Sequence, residues 1–158
     1  MILMLFLYDF VTLSISIDVL KPGRRPEKWD VRKLTLISTM LGIVKLAELF
    51  IALHIAKLIN LSYPQLQSFM FYILLLSGLL NIVNFRETRA FWGSKPSKYM
   101  LLVIIVDSVA ATMLVWIGII IPSLPSHVIA LALIYIIMIT LLATDAAKIA
   151  AYKLFGHV

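Results

Sequence analysis

The amino-acid sequence predicts an all-α integral membrane protein, a single bundle of about five transmembrane helices. Of the 158 residues, 62% are hydrophobic and only 14% are charged, whereas soluble domains are about half apolar and about a quarter charged. The mean hydropathy is +1.02, and most charged residues lie between long apolar stretches. A chain with so little polar surface requires lipid as its solvent. Its length allows one domain, residues 1–158.

Five apolar stretches qualify as transmembrane helices, which need about 20 residues to cross a hydrocarbon core about 30 Å thick. The predicted spans cover about residues 1–20, 34–59, 69–85, 99–121 and 128–152. The first stretch could instead be a secretory signal peptide. It lacks a basic N-terminal region and a small-residue cleavage site, so we interpret it as a span. Pro122 and Pro125 are predicted to end the fourth helix and to fix a tight turn into the fifth.

The positions of the basic residues predict the orientation. They fall after the first and third spans and in the C-terminal tail, and the other two connections contain no Lys or Arg. Because basic loops stay in the cytoplasm, we predict a multi-pass protein of the cell membrane with its N-terminus outside and its C-terminus cytoplasmic. This distribution explains the net charge of +6 without a nucleic-acid partner. The basic residues concerned are Lys21, Arg24, Arg25, Lys28, Arg32, Lys33, Arg86, Arg89, Lys95, Lys98, Lys148 and Lys153.

Ionisable residues within the spans are the candidate functional residues, because charge is costly in lipid and tends to mark pathways, pairs or helix contacts. Asp9, Glu48 and Asp107 form the candidate proton or ion site. For Asp9 there is a simpler alternative: it lies near the predicted outer end of its span and could reach the membrane interface.

The second span carries a charged stripe of four residues. Lys45 and Glu48 are three positions apart, so they share a helix face and can pair within the helix, and His54 and Lys57 follow towards the outer end. Such a stripe predicts an interface with another membrane subunit or a tie between helices. Asp107 is the expected partner of Lys45 if the second and fourth helices touch. Lys45, Glu48 and Asp107 would then form one cluster, and a structural tie is favoured over a proton path.

Cofactor and metal chemistry finds little support in the sequence. The chain contains no cysteine, which excludes disulfides and thiolate metal sites. His54 and His127 both approach the outer side, but neither has the neighbouring partners expected of a haem ligand. No Gly-rich phosphate loop is present. We therefore predict no catalytic residue, metal, cofactor or nucleotide, and we expect other integral membrane subunits and lipid as partners.

The first span contains a recognisable pattern. From Tyr8 to Pro22 the chain reads YDFVTLSISIDVLKP, in which a carboxylate is followed by Ser-Ile-Ser, a second Asp and Lys-Pro. This run resembles the sixth membrane segment of the plasma-membrane proton pumps of the P-type ATPase family. There, an Asn-Asp-Gly-Thr core is followed by Thr/Ser-Ile-Ser, an Asp and a Lys-Pro-rich cytoplasmic turn. Tyr8 and Phe10 stand where that family has Asn and Gly.

The resemblance extends along the chain. Residues 77–89 are similar to the end of the family's eighth segment and residues 133–154 to its tenth, so the resemblance implies correspondence to segments six to ten. It also implies that Asp9 occupies the position of the proton-carrying carboxylate. The family's phosphorylated Asp-Lys-Thr-Gly-Thr sequence does not occur in these 158 residues. We therefore predict no enzymatic activity for this chain on its own.

Three functions fit these features. The first is a non-catalytic membrane subunit, similar to the helper half of a proton pump, that docks in and stabilises a larger membrane complex such as a respiratory one. The second is the membrane half of a split P-type proton pump, with a separate chain supplying phosphorylation. The third is a passive proton or ion carrier, for which a five-helix bundle is small.

Overall fold

The computed structural model describes residues 2–15, 31–85 and 96–155, which form helices and short connections. The basic loop residues between 21 and 28 and between 86 and 95, on which the predicted orientation largely depends, lie outside the described residues, as does residue 156 onward. The helices are α1 (Ile2–Ile15), α2 (Val31–Leu58), α3 (Tyr63–Phe85), α4 (Lys98–Ile117), α5 (Ser126–Ile136), the π segment (Ile137–Ala143) and α6 (Thr144–Phe155).

The all-α membrane fold predicted from the sequence is confirmed. Four helices are long and apolar enough to cross a membrane: Val31–Leu58, Tyr63–Phe85, Lys98–Ile117 and the continuous run Ser126–Leu154. The fifth helix, α1, has 14 residues and is therefore about 21 Å long at 1.5 Å per residue. Residues 16–20 of the predicted first span lie outside the described residues, so the described part contains four helices long enough to span a membrane and 14 residues of a fifth apolar helix.

The fourth helix ends at a glycine. Gly118 adopts the left-handed conformation, with φ of 75°, and its N–H donates to the carbonyl of Leu114. This is the usual αL stop of a helix, which is nearly free of strain only for glycine. The helix thus ends at Ile117, before Ile121 and Pro122, where we predicted it. Pro125 instead begins the last span, because its carbonyl accepts the N–H groups of Val128 and Ile129.

Helix α3 is the centre of the bundle. It packs against every other helix of the described part, and large apolar side chains such as Phe69, Leu75 and Leu79 are completely buried along it. Helices α1 and α4 pack on each other and on α3, whereas α2 packs most extensively on α6 and α3. The bundle therefore has two sides that meet at α3, and the outward faces of its other helices expose large apolar residues suited to lipid.

Candidate functional site

The carboxylate of Glu48 lies at the centre of a buried polar network. Glu48 is only 2% exposed, and its Oε2 is 2.8 Å from the ammonium of Lys45, so the pair within the helix that the spacing predicts is present. Its Oε1 accepts a hydrogen bond of 2.6 Å from the hydroxyl of Thr140. The Tyr135 hydroxyl donates to the backbone carbonyl of Glu48. Both carboxylate oxygens are thus satisfied, which offsets the cost of burying the charge.

Thr140 lies in the π segment and connects this segment to α2 and α3. In this segment the N–H of Thr144 donates to the carbonyl of Ile139, five residues back. The carbonyl of Thr140 accepts a hydrogen bond of 2.8 Å from the side-chain amide of Asn84 on α3. The side chain of Thr140 therefore binds α2 while its backbone binds α3. Short π segments are rare and are often found at functional sites.

A second buried ion pair continues the network towards the C-terminal ends of α3 and the last span. The ammonium of Lys148 is 2.6 Å from Oδ1 of Asp145, and the two side chains are 1% and 4% exposed. The same ammonium donates to the backbone carbonyl of Asn84 at 2.7 Å. The last carbonyls of a helix have no partner within the helix, so Lys148 caps the end of α3. Lys148, which we took as a tail residue that marks orientation, is buried because it makes these bonds.

This connected set, Lys45, Glu48, Thr140, Asn84, Lys148 and Asp145, is called the α2–α3–α6 network below. Two of its links pass through backbone carbonyls, those of Thr140 and Asn84. A carbonyl accepts a hydrogen bond but has no proton to pass on. These two links therefore tie helices together through backbone acceptors.

Asp107 is not part of this network. It is buried on α4, 4% exposed, and its Oδ2 has no hydrogen-bond partner among the described residues. The expectation that Asp107 pairs with Lys45 is wrong, because the ammonium of Lys45 binds Glu48. Helix α3 packs between the two helices and contacts both α2 and α4. The predicted cluster of three charged residues is thus replaced by a pair and a separate carboxyl group.

Asp9 lies near the middle of α1 and is exposed on the outside of the bundle. Residues 1 and 16–20 of the predicted first span lie outside the described residues, so the alternative that Asp9 reaches the membrane interface stays open. The rings of Phe6 and Phe10, both about half exposed, meet edge to face beside it with centroids 4.9 Å apart. The neighbouring Tyr8 points the other way, and its hydroxyl donates to the carbonyl of Leu74 on α3 at 2.8 Å.

The three remaining candidates lie on the surface of the bundle. His54, Lys57 and His127 are all exposed. Within the described ranges there is no group of three or more His, Cys, Asp or Glu residues that could hold a metal ion. The charged stripe of α2 is therefore divided: Glu48 is tied into the bundle, and His54 and Lys57 are available at its surface.

Sequence reasoning missed Thr140, Asn84 and Tyr135, and it missed the pairing of Asp145 with Lys148. The pair had a usable signal, since its spacing of three residues is the same as that of Lys45 and Glu48. The other three gave no signal. A lone Thr, Asn or Tyr in an apolar span is common, and its partner lies on another helix.

Together, the fold and the network define an all-α membrane protein whose helices are joined by buried hydrogen bonds. Over 101 residues the chain is 30% identical to a protein of Methanocaldococcus jannaschii named "Putative cation-transporting ATPase". The match covers 63% of this chain and 12% of that protein, so the chain spans only a small part of the curated relative that it matches. No family model matches the chain. The similarity and the membrane helices fit the membrane part of a cation pump.

Proposed function

We propose that this chain is the non-catalytic membrane part of a P-type cation pump that transports protons, equivalent to the sixth to tenth membrane segments of that family. In this proposal phosphorylation and nucleotide binding are supplied by polypeptide outside these 158 residues, and the chain alone has no ATPase activity. It docks against the ion-binding segments of the complete pump in the cell membrane, with lipid around its outer face.

The observation that carries the proposal is the exposed carboxylate of Asp9 at the middle of α1. A carboxylate that faces lipid is costly, so it implies a partner helix or water at that face. The resemblance to the proton pumps gives Asp9 the position of the cation-carrying group. Its face of α1 is exposed and mostly apolar, with Leu5, Phe6 and Leu13 around it and Thr12 as a second polar residue. Further membrane segments would cover this stripe and complete the site.

The rest of the bundle serves as the support for that site. The α2–α3–α6 network joins two spans and the end of the last helix by buried hydrogen bonds. Helix α3, held by this network, is one of the two helices on which α1 packs, the other being α4. The network thus supports a stabilising role for the bundle, in which the buried charges hold helices in place.

The test is purification from native membranes in mild detergent, followed by mass spectrometry and ATP-dependent phosphoenzyme labelling. We expect co-purification with an Asp-Lys-Thr-Gly-Thr sequence, on a larger form of this polypeptide or on a partner. In proteoliposomes of that complex, Asp9→Asn is expected to abolish ATP-driven proton uptake. Asp9→Glu, which keeps a carboxylate, serves as the matched control. Normal uptake by the Asp9→Asn complex would contradict the proposal.

A second candidate is an accessory subunit of another membrane complex, such as a respiratory one. The exposed His54 and Lys57 on α2 favour it, because they offer polar contacts to a neighbouring subunit at the membrane surface. Stoichiometric recovery with other membrane subunits, and with no phosphorylation sequence, would establish this candidate instead. Recovery of the chain alone would favour the passive carrier.

A further inference from the structure

The Tyr8 side chain links α1 to α3 by hydrogen bonding, at the residue next to Asp9. Its hydroxyl donates to the carbonyl of Leu74 at 2.8 Å and lies 3.2 Å from that of Leu75. Both carbonyls lie in the interior of α3. A side chain can donate to a carbonyl that is already part of a helix only if it approaches that helix closely. The tyrosine therefore reaches across the contact between the two helices and binds the backbone of its neighbour.

Gly78 makes this approach possible. A Cβ atom at residue 78 would lie 1.6 Å from the Tyr8 hydroxyl oxygen and 2.5 Å from the ring carbon that carries it. Any other residue at this position would displace the ring, because atoms cannot approach so closely. Small residues at membrane-helix contacts allow such close approach. The Tyr8 side chain thus occupies the space that is open on α3 because Gly78 has no side chain.

This fit determines where Asp9 points. Successive residues of an α-helix are rotated by about 100° around its axis, so a helix whose Tyr8 faces α3 presents Asp9 away from it. Asp9 is accordingly exposed, while Leu7 and Val11 are buried. Helix α1 is also continuous through Phe10. It therefore has no break at which Asp9 could turn independently of Tyr8.

We propose that Tyr8 is a positioning residue for Asp9. By packing against Gly78, Tyr8 fixes the rotation of α1 on α3, so that the carboxylate of Asp9 faces the covering membrane segments in one constant direction. The proposal rests on the function proposed for Asp9 as the cation-carrying group. It implies that α1 and α3 move as one body during transport. A change of access at Asp9 must then come from the covering segments, without rotation of α1.

The test is a nitroxide spin-label measurement on this 158-residue chain in lipid nanodiscs. The chain has no cysteine, so Leu5→Cys, Leu7→Cys and Asp9→Cys each give a single labelling site. Collision with dissolved oxygen reports exposure to lipid. In the parent chain we expect labels at positions 5 and 9 to be accessible and the label at 7 to be protected.

The Gly78→Ala variant provides the decisive comparison. The added methyl group displaces the Tyr8 ring, so we expect accessibility to fall at position 9 and to rise at position 7. Tyr8→Phe keeps the ring and loses both hydrogen bonds, and we expect a smaller shift in the same direction. The matched control is Tyr72→Phe, which removes a hydroxyl bonded to Thr112 between α3 and α4 and should leave the pattern at positions 5, 7 and 9 unchanged.

If Gly78→Ala fails to fold, judged by circular dichroism and gel filtration, the double variant Tyr8→Ala/Gly78→Ala removes the collision. It also removes the anchor, so the difference between positions 7 and 9 should shrink. An unchanged pattern in folded Tyr8→Phe and in the double variant would overturn the proposal, because apolar packing alone would then orient α1. The measurement uses no ATP and no transport, so its outcome is separate from that of the Asp9→Asn transport test.

Discussion

The two sides of α3 are held by different kinds of contact. On the α2 and α6 side, buried charges are paired and bonded across helices through Glu48, Thr140 and Lys148. On the α1 and α4 side, two tyrosine hydroxyls supply the bonds between helices, and the carboxyl groups of Asp9 and Asp107 take no part in them. The difference suggests a division of roles for experiments to test, because polar groups that are fully hydrogen-bonded rigidify a bundle whereas a carboxyl group without a partner in a membrane helix is a candidate site.

The largest loss of stability is expected when the cation of the buried pair of Asp145 and Lys148 is removed. Lys148→Met would leave the carboxylate of Asp145 buried without a partner and the carbonyl of Asn84 uncapped. We expect a loss of about 3–5 kcal/mol in the free energy of unfolding, the usual cost of breaking a buried pair. The measurement is denaturant unfolding in mixed detergent micelles, followed by circular dichroism.

The matched control for this prediction is Lys153→Met, which removes an exposed lysine from the same helix and should change stability little. Replacing both partners, Lys148→Met with Asp145→Leu, should recover much of the loss, because no uncompensated charge remains. An equal loss from Lys148→Met and Lys153→Met would show that the pair does not hold the bundle.

A milder change tests the hydrogen bond to Glu48. Thr140→Val keeps the shape of the side chain and removes the hydroxyl that donates to Oε1. Hydrogen bonds between membrane helices contribute about 0.6 kcal/mol on average and up to about 1.7, and a bond to a charged group belongs at the upper end. We therefore expect a loss of about 1.5 kcal/mol in the same unfolding measurement. Thr39→Val is the control, since Thr39 is exposed and bonds only within its own helix.

The sequence predicted the fold class well because hydropathy and helix length are local properties. The pair of Lys45 and Glu48 followed from spacing within one helix for the same reason. The predicted pairing of Asp107 with Lys45 was wrong, because the packing of the whole bundle decides which helices contact each other. Thr140 could not be found for a similar reason: its bonds reach α2 and α3, and no residue pattern within Ile137–Ala143 indicates a π segment.

The contact between α1 and α3 is expected to contribute less to the free energy of unfolding than the α2–α3–α6 network does. Tyr8→Phe removes a neutral hydroxyl bond between helices, so the expected loss in unfolding free energy is about 1 kcal/mol or less. Tyr72→Phe should cost a similar amount, because its hydroxyl also joins two helices. Tyr63→Phe, at an exposed position, should cost nothing measurable. A loss for Tyr8→Phe as large as that for Lys148→Met would remove the distinction between the two sides.

The smallest effect on stability is expected at Asp9, the residue proposed to carry the cation. Asp9 is exposed and has no bond to another helix in the described part of the chain, so Asp9→Asn should change the unfolding free energy by no more than about 0.5 kcal/mol. The same substitution is expected to abolish proton uptake by the complete pump. Unfolding and transport measured on one preparation test both statements. A large loss of stability would mean that Asp9 belongs to the support, as Glu48 does, and that the working carboxylate must be sought elsewhere, with Asp107 as the first alternative.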